Sequence, residues 1–123
     1  MVLITGSSGY LGGRIAVHLE RLGYQVRVGK SVESDSKGFS IDLTDDHSIN
    51  SACDGVSSII HLAAMNAQAC DHNPEKALLI NGLGTLKLLK AAKKNRVSKF
   101  LYFSTAHIYG SPLRGKINEE LLP

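Results

Sequence analysis

No apolar stretch of this chain approaches the ~20 residues that a membrane-spanning helix needs. Met1 already stands at the edge of the first expected strand, with no charged-then-apolar leader ahead of it, so the expected location is the cytoplasm. Cysteine is scarce. Cys53 and Cys70 are isolated and lack metal-ligand spacing, which argues against a metal site or a disulfide and for two reduced thiols. Basic residues gather at Lys87, Lys90, Lys93, Lys94, Arg96 and Lys99, near the end of one expected helix, where cations suit the helix dipole and a solvated face accounts for them. They lack the interleaved aromatics or recognised motif that binding to nucleic acid would require. Repeats and disorder-prone tracts are absent as well. The 123 residues, 43% hydrophobic and 20% charged with a net charge of +3, suit one globular domain.

What the chain has is a regular alternation of strand and helix. Met1–Ile4 reads as a buried strand, and apolar periodicity through Leu11, Ile15, Ala16, Leu19 and Leu22 reads as a helix. A strand over Gln25–Val28, a polar loop over Lys30–Gly38 and a short strand over Phe39–Ile41 follow. Asp45-Asp46-His47-Ser48 opens a helix that ends at Asp54-Gly55, and Ser57–Leu62 is the fourth strand. Pro74 starts a long helix with Ala77, Leu78, Ile80, Leu83, Leu86, Leu89 and Ala92 at apolar positions; Lys99–Phe103 is the fifth strand. Such alternation specifies an α/β fold: a Rossmann-like, doubly wound parallel sheet with right-handed crossovers and the strand order 3-2-1-4-5. Ligands of such sheets bind beyond the carboxyl ends of the strands, where the order reverses.

Between the first strand and the first helix lies Thr5-Gly6-Ser7-Ser8-Gly9-Tyr10-Leu11-Gly12. Gly6 permits the tight turn, Gly9 lets the main chain approach a phosphate, and Gly12 lets helix pack on strand. The free N–H groups and the positive end of the helix dipole then face an anion. Glycine turns also occur without any ligand; the strand before, the helix after and the second strand beyond favour a dinucleotide here.

Several motifs in order give the chain a specific likeness. It resembles the amino-terminal portion of the NAD-dependent epimerase/dehydratase family, the extended short-chain dehydrogenases/reductases. The turn at Gly6, Ser8, Gly9, Tyr10, Leu11 and Gly12 matches the family's cofactor fingerprint, and Asp42-Leu43 matches the pair that contacts adenine. Leu62, Ala63 and Ala64 match the segment beside the nicotinamide-side ribose; Asn81, with Gly84-Thr85 after it, matches the family's asparagine helix; Ser104-Thr105 begins the match to its active-site strand end. The resemblance implies an NAD(P)-dependent epimerase or keto-reductase acting on a nucleotide sugar, in which Thr105 is the catalytic threonine that aligns the substrate oxygen. It also implies a homodimer through the helix that starts near Pro74.

Each residue has a plainer reading too. Asp42 serves equally as a turn aspartate before Thr44, His61 as a satisfied histidine at a strand end, and Ala63-Ala64 as a tight strand exit. Asn81 is a poor mid-helix residue, which points to an amide bonded to a neighbouring loop. At the ribose position, where an acidic residue accepts the 2′-hydroxyl of NAD, this chain has Lys30. With Ser31, and with Arg14 from the first helix, that lysine favours the 2′-phosphate of NADP over NAD, although Glu33 or Asp35 could supply a carboxylate if the loop folds back.

Two departures from the family matter. Ala106-His107 replace the Asp-Glu pair typical of dehydratases, so dehydration is disfavoured. Tyr-x-x-x-Lys, the family's acid/base pair on one helical face, does not occur: Tyr10, Tyr24, Tyr102 and Tyr109 are followed four residues on by Arg14, Val28, Ala106 and Leu113. The stretch Lys116–Pro123 resembles the loop that leads to that helix, so residues 1–123 are expected to be the dinucleotide-binding part, without the catalytic helix and the substrate domain. A non-catalytic sensing module, or a subunit completed by a partner chain, is the alternative. An open sheet edge of this kind is expected to expose apolar surface.

Overall fold

Short runs of buried aliphatic residues set the sheet. The computed structural model describes residues 1–35, 37–110 and 112–121, so Ser36 of the expected polar loop and Leu122-Pro123 of the expected exit loop lie outside the described residues. Strands β1 (Val2–Thr5), β2 (Val26–Ser31), β3 (Phe39–Ile41), β4 (Ser58–His61) and β5 (Lys99–Tyr102) form one parallel sheet, in the expected order β3-β2-β1-β4-β5. Register brings Thr5 level with Gly29 on one side and with His61 on the other, and His61 level with Tyr102. The carboxyl ends therefore share one rim.

Helices α1 (Tyr10–Arg21) and α2 (Asp46–Cys53) occupy the expected places. Neighbouring strand residues point to opposite faces, so Leu3 and Ile4 divide the core. Leu3 and Ile59 pack with Ile49, Ala52 and Cys53 of α2 and with Leu88 and Ala91 of a later helix, while α1 covers β1 and β2 from the other side and buries Ala16. Arg27 of β2 reaches the carboxyl end of α2, where its Nη1 donates to Ser51 O, Ala52 O and Asp54 O at 3.3, 2.7 and 2.8 Å. A helix end leaves its last carbonyls short of intrahelical partners, and the guanidinium supplies them; Ser51 O also accepts Asp54 N–H at 3.4 Å.

Three local features differ from the expectation. Lys30 and Ser31 belong to β2 and not to the following loop, because β3 runs alongside and pairs Lys30 with Ser40 and Ser31 with Ile41. A short helix α3 (Ala67–His72) precedes Pro74; it has no buried residue, hence no apolar periodicity to announce it, and Asn66 caps it by accepting Ala69 N–H at 2.9 Å. The long helix from Pro74 is divided into α4 (Pro74–Ala77), a π-helical stretch Leu78–Gly84 and α5 (Thr85–Lys94). The widened turns hold Gly82, Gly84 and Asn81, none a strong helix former. At the far edge Leu101 and Tyr102 of β5 are 54% and 55% exposed, the expected open apolar edge. Among the described residues no helix is long and apolar enough to cross a membrane.

Candidate functional site

At the shared rim of the sheet lies a groove of about 540 Å³, between the glycine turn, the ends of β2 and β3, and the exit of β4. Its floor is the turn. Gly6 has φ +71°, and a Cβ on it would stand 2.7 Å from Ala63 N; a Cβ on Gly12 would stand 2.4 Å from Gly6 O. Both glycines are therefore required by close main-chain approach. Gly9 differs, since its Cβ would meet only Gly6 O, at 3.3 Å. Buried Ser7 fastens the turn to β2 by donating from Oγ to Gly29 O at 2.8 Å. Helix α1 begins on Gly9 with no side-chain cap and no acidic residue in its first turn, whereas Asp45 and Asn66 cap α2 and α3. Gly9 lines the groove, so the helix starts at its wall with its first N–H groups unpaired within the helix and the positive end of the dipole unopposed by an acidic residue of its first turn.

Gly6, Ser8, Gly9, Lys30, Ser31 and Asp42 all line this groove, and Leu43, Leu62, Ala63 and Ala64 complete the walls expected of them. Lys30 Nζ donates to Ser34 O, and Ser31 Oγ accepts Glu33 N–H at 3.3 Å. Arg14 does not reach this wall; its guanidinium lies over the Tyr10 ring, 5.1 Å from the centroid. Asp42 Oδ1 accepts both the N–H and the O–H of Thr44, at 2.8 and 2.7 Å. These bonds hold its carboxyl below the usual range, so the turn role is filled at a residue that also lines the groove.

The remaining expected residues lie outside the lining. Tyr10 and Leu11 are exposed, and Gly12 is buried against the turn itself, at Gly6 and Ser7, where the expectation had put it against the strand. Asn81 stands behind the wall: its Oδ1 accepts Met65 N–H at 2.8 Å and its Nδ2 donates to Met65 O at 3.3 Å, as a second peptide group would. Ser104 and Thr105 follow β5 on an exposed segment; Thr105 Oγ1 accepts His107 N–H at 3.3 Å, at the start of a 3-10 turn over Ala106–Tyr109.

His61 is fully buried and bonded at both ring nitrogens, to Thr5 Oγ1 at 2.6 Å and to Thr85 Oγ1 at 2.9 Å. Thr85 Oγ1 donates its one proton to Asn81 O at 2.8 Å, so the histidine Nε2–H is the donor to Thr85 and Nδ1 accepts from Thr5. Thr5 Oγ1 in turn accepts Ala63 N–H at 3.3 Å. Burial brings the histidine pKa down to about 4, in keeping with a neutral ring. This is the satisfied strand-end histidine, not a ligand contact.

The model of the NAD dependent epimerase/dehydratase family matches residues 2–123. The chain belongs to that family. It is 28% identical to the UDP-glucose 4-epimerase of Bacillus subtilis over 97% of its own length and 40% of that protein. Among solved structures it superposes on Thermus thermophilus UDP-glucose 4-epimerase in complex with NAD, with a TM-score of 0.86 at 28% identity, covering 97% of this chain and 42% of that one. The Bifidobacterium longum UDP-glucose 4-epimerase in complex with NAD+ and UDP gives 0.84 at 27% identity, with 97% and 41% covered. The chain thus spans about two-fifths of the length of these relatives.

The groove also contains residues that the sequence reading had given no place in the site: Met65 and Ala69 before and within α3, and Lys76 and Ile80 in the divided helix. Ile80 carried an apolar-position signal only, and nothing in the spacing of Lys76 tied it to the sheet rim.

Two stability measurements check this geometry. Gly12→Ala is expected to cost about 1–3 kcal/mol in urea unfolding, because its methyl group meets fixed backbone, whereas Gly9→Ala costs less than about 1 kcal/mol. A buried neutral His61 gives a pH dependence of known sign. The folded chain takes up its proton only near pH 4 and the unfolded chain near 6.5, so this contribution is complete above pH 6.5 and is lost as the pH falls from there to about 4. The loss is about 3 kcal/mol, and His61→Gln, less stable at pH 7, is expected to show a flatter slope across that window.

Proposed function

We propose that residues 1–123 are the dinucleotide-binding domain of a cytoplasmic, NAD(P)-dependent nucleotide-sugar epimerase or keto-reductase, with NADP preferred over NAD. The observation that carries this reading is the uncapped amino terminus of α1, which meets the groove behind a turn whose glycines allow close main-chain approach. In this reading Ser8, Gly9 and the main chain of Tyr10 and Leu11 hold the pyrophosphate, and Gly6 and Gly12 keep the turn closed under it. Asp42 and Leu43 take the adenine edge; Leu62, Ala63, Ala64, Asn81 and Ser104 shape the nicotinamide-side ribose pocket. Lys30 and Ser31 receive the 2′-phosphate, which is the basis for preferring NADP even though the two epimerase structures described above hold NAD.

When bound, the nicotinamide supplies or accepts a hydride. Thr105 is the group for the substrate oxygen: having accepted His107 N–H, its hydroxyl still has a proton to donate. With no Tyr-x-x-x-Lys in these residues, they bind cofactor without turnover by themselves. The exposed leucines of the helix after Pro74, Leu79, Leu83 and Leu86 among them, support a homodimer through that face.

Thermal or urea unfolding with excess cofactor tests the reading directly. At a hundred times Kd, NADPH is expected to stabilise the chain by about 2.7 kcal/mol. Unchanged stability with both NADPH and NADH would overturn it. Lys30→Asp is expected to shift the NADPH/NADH affinity ratio about tenfold toward NADH, and an unchanged ratio removes Lys30 from the phosphate.

A further inference from the structure

One ion pair crosses the mouth of the groove. Lys76 Nζ of α4 lies 3.1 Å from Glu33 Oε1 in the segment after β2, and both residues line the groove together with Lys30. The two lysines enter from opposite walls, one from the end of β2 and one from the helix beyond β4. We propose that Lys76 is a specificity-determining residue: it releases Glu33 and takes the 2′-phosphate of NADP, which it then holds against Lys30. This inference rests on the dinucleotide reading above and assigns the phosphate a second cation.

Charge and exposure support the exchange. Lys30, Lys76 and Glu33 together carry one net positive charge, whereas a phosphate monoester carries about −1.5 to −2 at pH 7, so expelling the carboxylate matches two cations to one dianion. Side chains 45% and 74% exposed, as those of Lys76 and Glu33 are, form a pair screened by water, which a more highly charged partner displaces. Lys30 donates to a carbonyl, Ser34 O, which phosphate oxygens can replace with charge-assisted bonds. NAD brings no anion to this end, so with NAD the ion pair stays closed.

Calorimetric titration of the wild-type chain with NADPH and with NADH, repeated on Lys76→Gln, Lys76→Arg and Glu33→Gln, tests the exchange. The expected results are a loss of about tenfold in NADPH affinity for Lys76→Gln with NADH within about twofold, substantial recovery in Lys76→Arg, and tighter NADPH binding by Glu33→Gln. Added salt should weaken NADPH binding more in the wild type than in Lys76→Gln. Equal losses for both cofactors in Lys76→Gln would make the pair a strap over either one and overturn the proposal, as would an unchanged affinity ratio. Weaker NADH binding by Glu33→Gln, with NADPH unaltered, would give Glu33 to the ribose hydroxyls and overturn it too. A wild-type chain that binds neither cofactor would instead bring down the dinucleotide reading itself.

Discussion

The site depends on a buried line of hydrogen bonds that runs through the His61 ring. Ala63 N–H donates to Thr5, Thr5 to the ring, the ring to Thr85, and Thr85 to Asn81 O, so β1, the exit of β4 and the divided helix are held by one chain of single protons. Each hydroxyl both donates and accepts, and no polar atom in the line is left without a partner, which is what a polar chain in the interior requires. The consequence is positional. Ala63 is held where its backbone meets Gly6, and the helix is held where the Asn81 amide meets Met65. Protonating the ring would supply a donor at Nδ1 where the line needs an acceptor, and the fold resists this by burying the ring.

The groove follows from that anchoring together with the topology. Parallel strands in level register end at one rim, and the order reverses between β1 and β4, so loops there diverge and leave a cleft. The first loop is pinned by Ser7 to β2, while Lys87 of α5 donates to Thr44 O at 2.8 Å and pairs with Asp46 at 3.0 Å, fixing the loop that carries Asp42. Three walls are therefore tied to one another by bonds that do not need a ligand. A groove preformed in this way loses little freedom when it binds.

Much of this was legible in the sequence because it is encoded locally. Glycine spacing announces the turn, apolar runs announce the strands, and the alternation of strand and helix, broken only by the loop between the second and third strands, announces the parallel sheet and its order. The awkward position of Asn81 within a helix pointed to an amide bonded to a loop, which is where it lies. What escaped has a non-local cause. Lys30 and Ser31 extend β2 only because β3 comes alongside, and α3 is held by a cap and not by a buried stripe. The π-helical stretch arises where Asn81 and Thr85 are engaged by the loop and by His61, partners distant in sequence. Arg14 illustrates the converse. A basic residue on the first helix suits a phosphate beside Lys30, but the Tyr10 ring one turn earlier on the same helix face holds it.

Binding and chemistry are held to different degrees in this chain. Residues that shape the groove are anchored by buried bonds and by main-chain contacts, whereas Ser104 and Thr105 lie on an exposed segment beyond β5, beside Leu101 and Tyr102, which are more than half uncovered. Positioning a hydroxyl requires neighbours that lock its rotamer, and among the described residues the partner of the Thr105 hydroxyl is the His107 N–H of its own turn. The sheet thus presents an anchored groove at its rim, while Thr105, outside that lining, has its hydroxyl bonded by local backbone. Surface packed against β5 would both cover the apolar side chains and fix that hydroxyl, so one contact would serve the stability of the edge strand and the order of the segment after it.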